Sequence, residues 1–165
     1  MAALIAEGTE GLTIDGCRFS RLDGNAIMIS GYARNATVNS SDFHFIGGTA
    51  VATWGRTEEI TDNGRNGFDA TAGDFPHFVT ISNNLVDTFG LWQKQASAYF
   101  QAKAAQNMVR SNIIQNGPRA GINFVRLCGL CESPFARVGL TLVPAYAPVL
   151  VLEERWHGRW GCRGG

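Results

Sequence analysis

The sequence predicts an all-β solenoid, and three observations carry that prediction. A unit of about two dozen residues is written twice between Leu12 and Gly55, in step at an offset of 24 residues. Within each copy apolar and polar residues alternate over short runs, the period of a strand with one buried face. Gly and Asn interrupt those runs, and both tolerate the left-handed backbone that tight turns need. A unit this short cannot bury its apolar face alone and does so by stacking on its neighbours.

The elements follow in order. Ala3 to Ala6 reads as a strand from a unit already under way, and Gly8 to Gly11 turns the chain. In the first full unit Thr13-Ile14-Asp15 alternates, Cys17 to Phe19 follows, Leu22 closes on the core, and Gly24-Asn25 leads into Ala26-Ile27-Met28-Ile29. The second unit lays Val38 on Ile14, Ser41 on Cys17, Phe43 on Phe19, Ile46 on Leu22, Ala50 on Ala26, Val51 on Ile27, Thr53 on Ile29 and Gly55 on Gly31. Cys17 is therefore expected to be a buried thiol in a core stack. Arg56 to His77, polar and Gly-rich, reads as a long inserted loop, either functional or a bland surface insertion.

The third unit starts at Ile81 with Val86 at the offset of Phe19, and extra residues at Trp92 to Ser97 precede a strand at Tyr99 to Ala104. Helix competes as a reading of Trp92 to Val109, since Gln, Ala and Lys are good formers. The alternation in Tyr99 to Lys103 and its place in the repeat favour strand. The fourth unit starts at Val109, with Ile114 at the same offset, and ends with Ile122 and Phe124 in the places of Ile27 and Ile29. Asn83, Asn84, Asn112 and Asn116 fall in or near turns, where amides can ladder between units. The solenoid thus covers residues 1–124 with about four to five rungs and is incomplete.

From Val125 the composition changes: Asn, Asp, Ile, Lys and Gln are absent from there to Gly165. Residues 125–165 read as an irregular tail, either a small separate domain or non-native read-through of an intron or a shifted frame. A GT-starting intron read in frame would open on Val, as at Val125. Stacked units with an uncovered last rung are expected to be marginally stable or to self-associate through their ends.

Composition excludes several classes. The 165 residues carry a formal net charge of zero, so no basic field recruits nucleic acid. No apolar run approaches the roughly 20 residues of a membrane span, and the start lacks the pattern of a signal peptide. There is no Gly-rich phosphate loop, so no cofactor is expected. Cys128-Gly129-Leu130-Cys131, with His157 and Cys162, is weak support for zinc or redox chemistry, and no metal is assigned. Asn35-Ala36-Thr37 and Asn39-Ser40-Ser41 fit the glycosylation pattern, which is frequent by chance.

The units together resemble a right-handed parallel β-helix of the pectate-lyase-like superfamily. The run Gly90 to Gln106, with Asn116-Gly117-Pro118-Arg119-Ala120-Gly121-Ile122-Asn123-Phe124, resembles a group of otherwise uncharacterised right-handed β-helix proteins. In that group the Asn-Phe pair is followed by Asn-Asp-Gly-Phe-Gly and further rungs; here Val125-Arg126-Leu127 stand instead. The resemblance implies an extracellular or secreted setting and a groove for polysaccharide on one outward sheet face.

If Ile27 and Ile29 point inward, Ala26, Met28 and Ser30 point outward, stacked on Ala50, Ala52 and Trp54, then Tyr99, Gln101 and Lys103, then Gly121 and Asn123. Trp54, Tyr99, Gln101 and Asn123 are thus candidates for binding a glycan. Cleavage would need more. A hydrolase needs paired carboxylates, available only from the loop at Glu58, Glu59, Asp62, Asp69 or Asp74. A lyase needs a base and a positive clamp, for which Lys103 and Arg119 are the candidates, with His77 to shuttle a proton. Each has a plainer reading, with Lys103 and His77 as surface residues and Asp69 and Asp74 as turn formers. The leading expectation is a polysaccharide-binding or polysaccharide-cleaving β-helix; the alternatives are a non-catalytic structural or adhesive β-helix, or an inactive truncated product.

Overall fold

The computed structural model describes residues 1–56 and 73–125 in full, and the backbone alone of 58–59, 66–69, 139–142 and 150–153. The elements described are all strands. The first unit holds β1 (Ala2–Ala6), β2 (Thr9–Glu10), β3 (Thr13–Asp15) and β4 (Arg18–Leu22), and the second β5 (Asn25–Ser30), β6 (Ala33–Arg34), β7 (Thr37–Asn39) and β8 (Asp42–Ile46). The third opens with β9 (Val51–Trp54), carries β10 (Glu58–Glu59) and β11 (Asn66–Asp69) in its insertion, and continues with β12 (Pro76–His77), β13 (Thr80–Ser82) and β14 (Leu85–Phe89). Then come β15 (Tyr99–Ala102), β16 (Met108–Gln115) and β17 (Ile122–Val125). The residues between Trp92 and Val109 that compete as a helix in sequence supply β15 and the start of β16 instead.

Strands of successive units pair in parallel with their counterparts. Sheet A runs β1-β5-β9-β15-β17, sheet B β2-β6-β12, and sheet C is built on β3-β7-β13 and β4-β8-β14, both of which join β16. The register keeps the 24-residue step: Ile14 lies opposite Val38, Phe19 opposite Phe43, and Ile27 opposite Val51. Val38 continues to Ile81 and Val109, and Phe43 to Val86 and Ile114. Residues of all three sheets share one apolar core, among them Ile27, Ala33, Val38 and Phe43. The arrangement is all-β, curled, with parallel sheets, and is compatible with a parallel β solenoid. Antiparallel pairing occurs between β10 and β11, and between β18 (Gly139–Leu142) and β19 (Leu150–Glu153), of which β19 also lies along β16.

Polar side chains stitch the units at one corner of sheet C. The Ser41 N–H donates to Asn84 Oδ1 at 2.9 Å, and the Asn84 N–H to Asn112 Oδ1 at 3.0 Å. Asn84 Nδ2 also donates to the Val38 carbonyl, and Asn112 Nδ2 to that of Ile81. Both amides are buried. The other two predicted asparagines also bridge units, Asn83 to Asn39 and Asn116 to Asp87. Cys17 departs from expectation. It does align with Ser41, whose Oγ accepts its N–H at 3.1 Å, but its thiol is exposed. The reason is that β3 and β4 are the end strands of sheet C among the described residues, with no described strand stacked on their outer side.

Candidate functional site

The outward face of sheet A is the surface on which the sequence places its binding candidates. Side chains on a strand alternate between faces, so pairing register fixes which residues stack. Leu4, Ile27, Val51, Tyr99 and Ile122 form one inward column, and Ala6, Ile29, Thr53, Gln101 and Phe124 another. Between them the outward column reads Ile5, Met28, Ala52, Phe100 and Asn123, flanked by Ser30, Trp54, Ala102 and Val125.

This register corrects two predicted positions. Tyr99 and Gln101 do not face outward, because Tyr99 pairs with Val51 and is only 2 % exposed. Its hydroxyl sits 2.9 Å from Thr53 Oγ1 and donates to Gln101 Oε1 at 2.9 Å, forming a polar network inside the sheet. Asn107 Nδ2 joins it at 3.2 Å from Gln101 Oε1. The aromatic ring that β15 turns outward is Phe100. The sequence carries a signal for this: a small residue precedes the first inward residue in Ala26-Ile27, Ala50-Val51, Ala98-Tyr99 and Gly121-Ile122. Ala26 and Ala50, also expected outside, are fully buried.

Trp54 and Asn123 do fall on the outward side. Trp54 is 47 % exposed and packs against Phe100 with ring centroids 5.6 Å apart. Lys103, half-buried with φ 51°, follows β15 just past this face. Its carbonyl lies 1.9 Å from where a Cβ on Gly55 would stand, so the close approach of these two units requires glycine there.

The returning end of the insertion is clamped at the edge of the same sheet. Arg56 Nη2 reaches Glu7 Oε1 at 2.6 Å and Arg56 Nη1 reaches Asp74 Oδ2 at 3.7 Å. Each carboxylate also has an oxygen 3.0 Å from a Cβ that Gly31 lacks, which places Glu7 and Asp74 side by side over that glycine. Arg34 holds the Gly73 and Phe75 carbonyls and stacks over the Tyr32 and Phe75 rings. Asp74 therefore gains a carboxylate neighbour, Glu7, that sequence reasoning missed, since the two lie far apart along the chain. A guanidinium bridges the pair.

The remaining candidates lie elsewhere. His77 is on sheet B, opposite Arg34, stacked on Phe78 with centroids 3.9 Å apart and hydrogen-bonded through Nε2 to Gln106. Burial lowers its pKa below the usual histidine value, against the opposing effect of Gln106 and with help from the nearby Arg34 charge. Arg119 is exposed in the turn before β17, donating to Gln95 Oε1 at 2.8 Å. The Asp69, Glu58 and Glu59 side chains and all of Asp62 lie outside the described residues, as do Cys128, Cys131, His157 and Cys162. Among the described residues no three His, Cys, Asp or Glu gather as a metal site, and no helix is long and apolar enough to cross a membrane. No protein-family model, curated protein or solved structure matches the chain.

Proposed function

We propose that this chain is part of a right-handed parallel β-helix and that it binds polysaccharide across the outward face of sheet A. One observation carries the reading: Trp54 stands half-exposed against Phe100 on neighbouring strands of a parallel sheet. Large apolar rings left open to water commonly mark a binding groove. Ile5 and Met28 extend the apolar stripe along the units, and Asn123 supplies an amide at its far end. Such a surface, apolar with few polar groups, suits the faces of sugar rings. Binding is favoured over hydrolysis because the described residues of this face include no carboxylate, and the nearest pair, Glu7 and Asp74, is bridged by Arg56.

Affinity electrophoresis of the full chain through gels cast with a panel of neutral and acidic polysaccharides tests this. Retardation by at least one polymer, lost in Trp54→Ala, is expected, with no new reducing ends or unsaturated products. Equal migration in every gel, or retardation unchanged in Trp54→Ala, would overturn the proposal and leave a structural or adhesive role.

A further inference from the structure

The outward face of sheet C stacks a serine, a histidine and an aspartate in register on three successive units. Ser20 of β4 lies opposite His44 of β8, and His44 opposite Asp87 of β14. Strand partners in a sheet stand about 4.8 Å apart, so the three side chains are immediate neighbours. His44 turns Nδ1 to Asp87 Oδ2 at 3.6 Å. The strand that carries Ser20 flanks β8 on the side opposite β14, so Nε2 is the ring nitrogen left to serve it. Contacts of this kind are often long in an unliganded site and tighten when substrate binds.

We infer that Ser20, His44 and Asp87 form a nucleophile, base and orienting carboxylate that hydrolyse small carboxylic esters. The supporting structure is specific to these positions. Phe19 and Phe43, one residue before Ser20 and His44, stack beneath them with ring centroids 5.1 Å apart and planes 4° from parallel, which locks the pairing. Asp87 is held by Asn116 Nδ2 at 2.7 Å and by Thr88 Oγ1 at 3.2 Å. The Asn116 bond is the main cause of a pKa below the usual aspartate value, so the carboxyl is ionised when His44 needs a counter-charge. Ser20 is exposed, and Phe45, 49 % exposed beside His44, offers an apolar wall to a short acyl group.

In the first half-reaction Ser20 Oγ attacks the ester carbonyl carbon while its proton passes to His44 Nε2. The bond from that carbon to the alcohol oxygen breaks, and His44 returns the proton to the departing alkoxide, leaving an acyl-serine. Water then attacks the acyl carbon and gives a proton to His44. The bond to Ser20 Oγ breaks, Oγ takes the proton back, and the carboxylic acid leaves. Negative charge on the carbonyl oxygen needs a donor. The Cys17 N–H points toward Ser41 in the second unit, so strand alternation turns the Ser20 N–H to the side of β4 on which no described strand pairs. There it can donate to that oxygen.

The test is hydrolysis of p-nitrophenyl acetate by the full chain, with labelling by a fluorophosphonate mapped by peptide mass spectrometry. Saturable turnover and a label on Ser20 are expected, with Ser20→Ala and His44→Gln both falling to the rate of buffer. Asp87 acts through His44, so Asp87→Asn should lower kcat at least about 100-fold at nearly constant KM and displace the acidic limb of the pH profile. Turnover no faster than buffer, a label that avoids Ser20, or full activity in Ser20→Ala would overturn the inference. Ser20 is exposed, so its alanine variant retains the fold and the comparison holds.

Discussion

Replacing Asn84 with Ala probes the amide ladder that joins the units. In the native chain Asn84 Oδ1 accepts the Ser41 N–H at 2.9 Å, and its Nδ2 donates to the Val38 carbonyl and to Asn112 Oδ1, each at 3.0 Å. Alanine strands the Ser41 N–H in a buried corner, since Ser41 and Asn84 are both shielded from water, while the Val38 carbonyl keeps its place in the ladder between β7 and β13. An unsatisfied buried polar group costs about 1–3 kcal/mol, and that is the loss expected here. Asn112 Oδ1 keeps the Asn84 backbone N–H and adds little. Asn83, next in sequence, donates its side-chain amide to Asn39 in an exposed bond at a left-handed position (φ 55°), so Asn83→Gly, which suits that backbone, should cost no more than about 1 kcal/mol. Urea unfolding followed by circular dichroism reads both, as a shift of midpoint at constant slope. A loss below about 1 kcal/mol for Asn84→Ala, or equal losses in the two variants, would refute the reasoning that burial and double satisfaction make this amide structural.

Further outcomes follow from the same contacts. Gly55→Ala would set a Cβ 1.9 Å from the Lys103 carbonyl oxygen and 2.4 Å from Phe75 Cβ; a melting temperature lower by about 4–12 °C is expected by calorimetry, the scale of a 2–3 kcal/mol loss in a domain of this size. His77 has a folded pKa depressed by burial, so the unfolded chain binds its proton more readily. Its contribution therefore falls as pH drops below about 6.5 toward the folded value, and His77→Gln should flatten that part of a stability–pH curve. Asp87 also has a depressed pKa, but as an acid: its contribution is complete above the unfolded value of 3.8 and is lost as pH falls through the folded one. Asn116→Ala removes the main cause, and carboxyl NMR should then show Asp87 titrating at higher pH. Cys17, exposed on the first unit, should be alkylated in the native protein, with peptide mapping locating the adduct.

The first two units were legible because nothing interrupts their count. Ile14 and Val38, Phe19 and Phe43, and Ile27 and Val51 pair as the repeat requires. Ile81, Val86, Val109 and Ile114 kept their places because each turn of sheet C is short and its amides are distinctive. The count failed between β14 and β15. There Leu91 to Ala98 form an extra passage, with the N–H groups of Trp92 and Gln93 both bonded to the Gly47 carbonyl. With no fixed spacing across that passage, the strand at Tyr99 was placed one residue out, and a slip of one residue exchanges the two faces of a strand. Gln101 and Lys103 thereby took the places that belong to Phe100 and Ala102, and Tyr99 that of Ala98. Side-chain constellations were harder still, because Glu7 meets Asp74, and Ser20 meets His44 and Asp87, only through stacking. In stacked parallel units, chemistry is assembled across rungs and not along them. A search for sites in such a chain must therefore compare positions separated by whole units, after insertions have been removed from the count.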